Sequence, residues 1–356
     1  MNRSSRKSAH RRTAAAVVVA SLAAFGFVAA RQAHANAASV ASGRPDNYRM
    51  SLEVSETRAP TAVTTFADPS GRLQNPRDVT AGPDGNLWFT AGRNQLGRIT
   101  TEGVVTMFDG ARGQLHHPSG IIAGPDGALW FTTLDNAVGR ITTTGRITTY
   151  PVGKERGGGP VALAASPDGN VCFVTDDHQF GCITATGQVS EVDLGLSAGF
   201  AFPTDLSLGP DGNFWFTTMD SRIGRVTPAG ELAIFDGSEA NVVFPAGMVA
   251  GPDGNLWFTS PGSNLVGRVT TEGAITTFAD EQGHVQEPSR ITVGADGAMW
   301  FTNTNNRLGR ITVDGAITTY DATNDRVTGT FGIAAGADGN VWFTSVSNHR
   351  IGFIRP

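Results

Sequence analysis

The chain has 356 residues, of which 45 are glycine and only 17% are charged, and its formal net charge is −5. This composition is typical of an all-β protein with many turns and argues against a helical one. The acidic balance argues against nucleic acid and anionic lipid as partners.

The first 35 residues have the pattern of a secretory signal peptide. A basic segment ending in Arg11-Arg12 precedes an apolar run from Thr13 to Ala30, and Ala33-His34-Ala35 matches an Ala-x-Ala cleavage site. The alternative is an uncleaved membrane anchor, because the apolar run has 18 residues. The segment holds six of the 27 basic residues and no acidic one, so cleavage leaves 21 basic and 32 acidic residues, a net charge of −11.

We therefore expect an exported, extracytoplasmic monomer with no membrane attachment after cleavage, and the arginine pair leaves Sec and twin-arginine export both open. Residues 36–61 are rich in Ala, Ser and Arg and have little periodicity. They are predicted to be a flexible linker, with one domain over residues 62–356.

Seven copies of a turn motif divide that domain at near-constant spacing. The copies begin at Gly82, Gly124, Ser166, Gly209, Gly251, Gly294 and Gly336. Repeats of about 40 residues indicate a propeller or a solenoid. A solenoid requires polar terminal caps, which this sequence lacks.

Each repeat predicts four short strands. In the first, the turn Pro83-Asp84-Gly85 leads into Asn86–Thr90, and a polar loop leads to Leu96–Thr100. A second turn leads to a third strand, Val104–Phe108. The fourth strand comes from the stretch before the next turn motif, such as Gly120–Ala123. Four strands per repeat form one propeller blade, so the fold class is an all-β, seven-bladed β-propeller.

The two ends of the domain predict how the ring closes. The last repeat stops at Pro356 without an outer strand such as Ile147–Tyr150. Val63–Phe66 has the sequence of that missing strand. We therefore expect the N-terminal strand to complete the last blade, which leaves no open edge there.

All six tryptophans fall at one repeat position, which favours packing between blades over an aromatic ligand platform. Five of them precede an arginine by ten or eleven residues, which predicts a cross-strand cation–π pair. The arginines are Arg98, Arg140, Arg225, Arg268 and Arg310.

In the third repeat, Cys172 takes the tryptophan position and Cys182 the arginine position. Both partners of one cross-strand pair are thus replaced together by the two cysteines of the chain. Opposed residues of an antiparallel pair lie within disulfide reach, and an exported protein meets an oxidising compartment. We predict a structural disulfide, with a nucleophilic or metal-binding cysteine pair as the alternative.

The repeated sequences Gly-Pro-Asp-Gly-Asn-Leu-Trp-Phe-Thr and Ile-Gly-Arg-Ile-Thr resemble the virginiamycin B lyase (streptogramin lyase) family over about residues 62–356. The resemblance implies a carbon–oxygen lyase that opens a cyclic depsipeptide antibiotic by elimination. A histidine would remove a proton α to a carbonyl while Mg²⁺ stabilises the enolate. The family carries Glu-Pro-His-Gly-Ile and a later Glu in its last blade, and Pro-His in the blade before.

This sequence departs from the family at each of those places. Gly329 and Phe331 replace the Glu and His of the last blade, and Ser345 and Val346 follow its Trp-Phe-Thr strand without a carboxylate. Ser289 replaces the histidine of the blade before. We therefore extend the resemblance to the fold and not to the mechanism. No cofactor is expected with certainty, and Mg²⁺ only where the family activity is retained.

Other polar residues stand at the starts of inner strands and in loops expected to share one face. Arg77, Asp78, Asp205 and Arg290 are predicted to converge on the central channel, as a polar ligand site or as a salt-bridge network. His116-His117 is read as a pair of loop residues, since neighbours on a strand point to opposite faces. Asp176-Asp177-His178 is read as an exposed turn in preference to a cation site.

Three functions remain open. The first is a binding propeller that holds a small molecule or a protein on its loop face. The second is an active lyase with a relocated site, for example His117 and Glu287. The third is a metal-dependent lactone-type hydrolase that uses the channel acids. The fold alone does not decide among them.

Overall fold

A computed structural model describes residues 63–110, 115–153, 158–196, 201–322 and 327–356. The predicted signal peptide (residues 1–35) and the predicted linker (residues 36–61) both lie outside these residues. Across the described part of the chain, 28 strands form seven four-stranded antiparallel sheets arranged as the blades of a ring. No helix in these ranges is long and apolar enough to span a bilayer. The predicted seven-bladed β-propeller is confirmed.

The first three blades contain twelve strands in chain order from the channel outwards. Blade 1 comprises β2 (Val79–Ala81), β3 (Leu87–Ala91), β4 (Gln95–Ile99) and β5 (Val105–Asp109). Blade 2 comprises β6 (Ile121–Ala123), β7 (Leu129–Thr132), β8 (Ala137–Ile141) and β9 (Ile147–Pro151). Blade 3 comprises β10 (Pro160–Ala165), β11 (Val171–Thr175), β12 (Gln179–Ile183) and β13 (Val189–Asp193).

The remaining blades follow the same order. Blade 4 comprises β14 (Pro203–Leu208), β15 (Phe214–Thr218), β16 (Arg222–Val226) and β17 (Leu232–Asp236). Blade 5 comprises β18 (Met248–Ala250), β19 (Leu256–Ser260), β20 (Leu265–Val269) and β21 (Ile275–Ala279). Blade 6 comprises β22 (Pro288–Val293), β23 (Met299–Asn303), β24 (Arg307–Ile311) and β25 (Ile317–Asp321). Short 3-10 helices cover Ser238–Ala240 and Pro261–Ser263.

Blade 7 is closed by the N-terminal strand, as predicted. Its strands are β26 (Thr330–Ala335), β27 (Val341–Ser345), β28 (Arg350–Ile354) and β1 (Thr64–Ala67). β1 pairs antiparallel with β28, and the Phe66 ring stacks on Trp342 at 5.8 Å. One blade therefore joins the two ends of the domain.

The second strand of each blade is buried along its whole length, because both of its faces meet other blades or strands. Trp88 packs with Leu129 and Phe131 of blade 2, and Trp300 packs with Ile333 and Phe343 of blade 7. All six tryptophans are at most 1% exposed. They are core residues that join neighbouring blades, as the sequence predicted.

The repeated turn aspartate secures each tryptophan. Asp126 accepts hydrogen bonds from Trp130 Nε1 at 3.0 Å and Arg140 Nε at 2.6 Å. Burial opposes the charge, but these donors hold the pKa of Asp126 below its usual value. The predicted arginine–tryptophan contact is present in four blades, at 5.5–5.9 Å from guanidinium to ring centre. In blade 6, Arg310 pairs with Asp296 at 2.7 Å.

The predicted disulfide is confirmed. Cys172 and Cys182 are directly opposed on β11 and β12, and their sulfurs are bonded. The bridge closes a loop with a sequence separation of 10 residues. A loop of that size contributes about 2–3 kcal/mol by the chain-entropy estimate.

Candidate functional site

The central channel is lined by one repeat position on the innermost strands, four residues before each turn motif. We call these the channel positions. They are, from blade 1 to blade 7, Asp78, Gly120, Ala162, Asp205, Gly247, Arg290 and Gly332. Four of the seven residues are small, so three charged side chains dominate the channel.

Arg290 lies two blades from each channel aspartate. Its guanidinium is 3.1 Å from the carboxylate of Asp205. Burial opposes the positive charge, but Asp205 and Asp78 together raise the pKa of Arg290. The sequence-predicted convergence of Asp78, Asp205 and Arg290 therefore takes the form of a charged network inside the channel.

The two aspartates also join neighbouring blades through the backbone. Asp78 Oδ2 accepts a hydrogen bond from Ile121 N at 3.0 Å, and Asp205 Oδ2 accepts one from Met248 N at 2.9 Å. Burial raises the pKa of Asp78, and the charge of Arg290 offsets this in part. Both carboxylates thus have structural partners on the next blade.

The cavity beside this network is small. It has a volume of about 30 Å³ and is lined by blades 1 to 4 and by Arg290. That volume is roughly the share of one molecule in liquid water. This cavity is therefore too small for an organic ligand.

The positions at which the family resemblance predicts catalysis hold residues with packing roles. The Phe331 ring lies under the guanidinium of Arg290 at 5.6 Å. Ser345 is buried, and its hydroxyl bonds both the amide and the carbonyl of Thr328 at 2.8 and 3.0 Å. Ser289 uses its carbonyl to accept from Thr259 Oγ1 and Gly247 N. Val346 is half-buried and apolar.

His117 and Glu287 occupy the same repeat position in blades 2 and 6. Each precedes a proline and adopts a positive φ, of 48° and 43°. Blades 2 and 6 are three apart, the largest separation in a ring of seven. The two residues of the relocated pair therefore belong to well-separated blades of the ring.

A side chain of the preceding blade clamps this repeat position. Asn94 Oδ1 accepts from His117 N at 2.9 Å, and Asn264 Oδ1 accepts from Glu287 N at 2.8 Å. At the ring closure His349 Nδ1 takes the same role and accepts from Asn75 N at 3.0 Å. His349 is thus a structural clamp, a role indicated in the sequence only by the repeat alignment.

The two remaining polar clusters also have local partners. His116 and His117 both precede β6 and are exposed loop residues, and His116 Nε2 lies 3.9 Å from Asp135. Asp176, Asp177 and His178 are half-buried, where the sequence predicted an exposed turn. Asp177 accepts from Thr175 Oγ1 at 2.6 Å, and His178 stacks on Phe202 at 6.2 Å. Burial, followed by the charge of Asp177, raises the pKa of Asp176.

The channel mouth carries two exposed side chains, Arg77, which the sequence singled out, and Phe244, which it did not. Phe244 stands at the entry to blade 5 with 49% of its surface exposed. Arg77 is exposed at the entry to blade 1, and its guanidinium makes no hydrogen bond or ion pair within the described residues. Its carbonyl accepts from Thr344 Oγ1 at 2.6 Å, which fixes the backbone beside Phe331. Sequence comparison of the seven strand entries would also have revealed Phe244.

Metal ligands are sparse in this arrangement. Among the residues that the structure describes, no group of three or more His, Cys, Asp or Glu side chains is placed to hold a metal ion. Arg290 occupies the position between the two channel acids that a cation would require. The channel therefore does not fit Mg²⁺, which prefers several oxygen ligands.

The chain matches a family model described as the virginiamycin B lyase family over residues 52–202 and 195–356. A structure titled streptogramin B lyase is 29% identical, with a TM-score of 0.74 and coverage of 83% of this chain and 97% of that one. Virginiamycin B lyase from Staphylococcus aureus is 27% identical, with a TM-score of 0.74 over 83% and 99% of the two chains.

A catalytically inactive histidine-to-alanine variant of the same S. aureus enzyme, solved with quinupristin, matches equally well, at 27% identity and a TM-score of 0.74 over 83% and 99% of the chains. The WD40 propeller domain of Doa1 shares the fold alone, at 14% identity and a TM-score of 0.66 over 83% and 95% of the chains. Among curated proteins, no sequence matches significantly.

Proposed function

This chain belongs to the virginiamycin B lyase family, and on that premise we propose that it is a binding propeller that has lost the family's elimination reaction. It holds a small molecule or a protein segment at the channel mouth on its loop face. The observation that carries this proposal is the contact of Phe331 with Arg290, at the position where the resemblance implies a catalytic histidine.

Phenylalanine cannot accept a proton, and here its ring has a different partner. The guanidinium above it is itself bound to Asp205 at 3.1 Å. The position therefore contributes to the packing of the charged network. General base catalysis contributes about 10²–10⁴ in rate, so its loss lowers turnover by a comparable factor.

The metal-binding part of the family site is missing in the same way. Gly329 and Val346 carry no oxygen on their side chains, and the hydroxyl of Ser345 is engaged by Thr328 and by Asn348 at 2.6 Å. A Mg²⁺ ion would supply charge stabilisation worth several kcal/mol only where carboxylates hold it. These residues do not fit that ion.

The channel mouth offers complementary chemistry for binding. Arg77 presents a guanidinium without a protein partner in the described residues, and Phe331 and Phe244 present aromatic surface at other strand entries. This combination suits a ligand with a carboxylate or other anionic group and an apolar part. The cavity beside Arg290, with a volume of about 30 Å³, is too small to hold such a ligand itself.

Turnover of a streptogramin B antibiotic tests the proposal. The purified protein is incubated with quinupristin and Mg²⁺, with the S. aureus lyase as the positive control. We expect no ring opening above background. Elimination gives a linear product of unchanged mass and hydrolysis adds one water, so chromatography with mass spectrometry separates the two. Metal-dependent formation of the linear isomer at enzyme-like rates would contradict us, and its loss in His117→Ala or Glu287→Ala would then identify a relocated site.

We further propose that the protein is exported and that residues 1–35 are removed. The basic and apolar N-terminal pattern supports this, as does a disulfide, which persists in oxidising compartments. N-terminal sequencing of the mature protein should then begin at or near Asn36. A membrane-bound protein that retains Met1 would refute cleavage.

A further inference from the structure

Six blades contain an aromatic stack built from one residue on each of their three outer strands. In blade 1 the Trp88 and Phe108 rings stack at 5.1 Å, and the guanidinium of Arg98 lies 5.7 Å from the Trp88 ring. In blade 3 the three corresponding residues are Cys172, Cys182 and Val192. All three members of the stack are therefore replaced together by smaller residues.

Five of these stacks contain an arginine, and blade 7 has Phe353 in its place. The arginine has two kinds of partner. It pairs with the turn aspartate of its own blade, as Arg268 does with Asp253 at 3.6 Å. It also donates to a carbonyl in a turn of the next blade, as Arg225 does to Thr271 at 2.9 Å. A guanidinium is thus held between a carboxylate and a carbonyl of two neighbouring blades.

Blade 3 keeps both acceptors and lacks the arginine. Asp168 is the turn aspartate, and within the described residues no indole or guanidinium donates to it. The Ser166 hydroxyl and Asn170 lower the pKa of Asp168, which therefore stays ionised at neutral pH. Pro228 of blade 4 has the position of Thr271 and is an exposed residue.

An open groove lies beside Cys182, at the position of the missing arginine. Its volume is about 490 Å³, within the range of small-molecule pockets. Asn170, Cys182, Thr184, Gln188, Val189 and Ser190 line it, and by strand alternation Cys182 and Ser190 lie on the sheet face that carries the disulfide. The groove is at the end of the strands opposite the loop face.

The outer strand beside the groove is unusually accessible. β13 is exposed at every position, whereas β5 of blade 1 is half-buried at all positions but the last. In blade 1 the Phe108 ring packs against the turn glycine Gly145 of blade 2, and in blade 3 only Val192 meets the corresponding Gly230. The junction of blades 3 and 4 thus lacks an aromatic ring as well as a guanidinium.

We propose that this groove binds a peptide segment that carries an arginine next to an aromatic residue. The guanidinium lies between the Asp168 carboxylate and the Pro228 carbonyl, and the aromatic ring packs against Cys182 and Val192. The binding is non-covalent. Arginine fits better than lysine because its planar, weakly hydrated head stacks and donates in several directions, as the five native arginines do. The site is separate from the channel mouth and does not depend on the proposed loop-face function.

Calorimetric titration with the peptide acetyl-Arg-Trp-amide tests the site on the intact protein. The matched probe is acetyl-citrulline-Trp-amide, which has nearly the same shape without the charge. We expect the arginine peptide to bind at least about tenfold more tightly, as for a hydrogen bond between charged groups. Equal affinities for the two peptides, or no binding of the arginine peptide, would overturn the proposal.

Two variants locate the binding. Asp168→Asn should reduce the affinity for the arginine peptide to that for the citrulline peptide, while Asp314→Asn, at an exposed turn of blade 6, should leave it unchanged. The triple variant Cys172→Trp, Cys182→Arg, Val192→Phe rebuilds the stack and should abolish binding. Full affinity in Asp168→Asn would contradict the site even if the triple variant failed to fold.

Discussion

The guanidinium of Arg290 and the carboxylate of Asp205 lie 3.1 Å apart although they belong to blades that are not neighbours. Their side chains are only 20% and 19% exposed. The pair therefore links blades 4 and 6 past the intervening blade 5, and Asp78 completes the network from a third blade.

Loss of that pair should destabilise the protein. In Asp205→Asn the amide removes the charge that Arg290 faces, although an oxygen remains to accept from Met248 N. We expect the free energy of unfolding at pH 7 to fall by about 1.5–3 kcal/mol, the range for hydrogen bonds between charged groups. Urea unfolding measures this. Asp220→Asn is the control for a general charge effect, because Asp220 pairs with Arg222 of the same hairpin. Equal losses of stability in the two variants would argue against a special role for the channel pair.

The effect of Asp78→Asn on the stability of the protein should depend on pH. Burial raises the pKa of Asp78, so the folded state binds its proton more tightly than the unfolded state. The stability that this carboxyl group contributes is fully present below its pKa in the unfolded chain, 3.8. It is lost as the pH rises through the higher pKa of the folded state. The variant should therefore gain stability relative to the native protein between pH 4 and neutrality. Thermal unfolding as a function of pH would show this, and a constant difference would contradict the assignment.

The turn aspartates should make the fold sensitive to acid. Burial acts against ionisation, but hydrogen bonds from tryptophan and arginine lower the pKa of Asp126 below 3.8. The stability that the Asp126 carboxylate contributes is fully present above pH 3.8, the pKa in the unfolded chain. It is lost as the pH falls through the lower pKa of the folded state. Asp126→Ala should cost about 1–3 kcal/mol at pH 7, because the buried Trp130 N–H loses its acceptor.

Asp168→Ala is the matched control for this change. It removes the same turn residue from blade 3, which has neither the tryptophan nor the arginine. We expect a markedly smaller loss of stability and a weaker pH dependence from that position. Equal losses in blades 2 and 3 would mean that the turn itself, and not the tryptophan contact, sets the cost.

Deletion of residues 62–66 should open the ring. It removes most of β1, including Phe66, which stacks on Trp342 and packs near Phe353. Each buried side chain lost costs roughly 1.5–3 kcal/mol, and the freed edge of β28 can pair with another molecule. Denaturant unfolding and sedimentation should show lower stability and association. A deletion that ends at residue 61 serves as the control and should remain stable and monomeric.

The architecture followed from the sequence because its determinants are local and occur seven times. The Pro-Asp-Gly turns set the strand spacing, the Trp-Phe-Thr segments mark the buried strands, and Val63–Phe66 matched the strand absent before Pro356. The paired change to Cys172 and Cys182 predicted the disulfide in the same way, since opposed positions of a hairpin are fixed by register.

The site depended on relationships between blades, which no local pattern contains. Arg77, Asp78, Asp205 and Arg290 were expected to converge, but only the ring geometry decided that Arg290 pairs with Asp205 and that Phe331 lies beneath it. His117 and Glu287, which share a repeat position, belong to blades that are three apart in the ring. Strand propensity and turns act within one blade, whereas contacts across the channel depend on the angle at which seven blades pack.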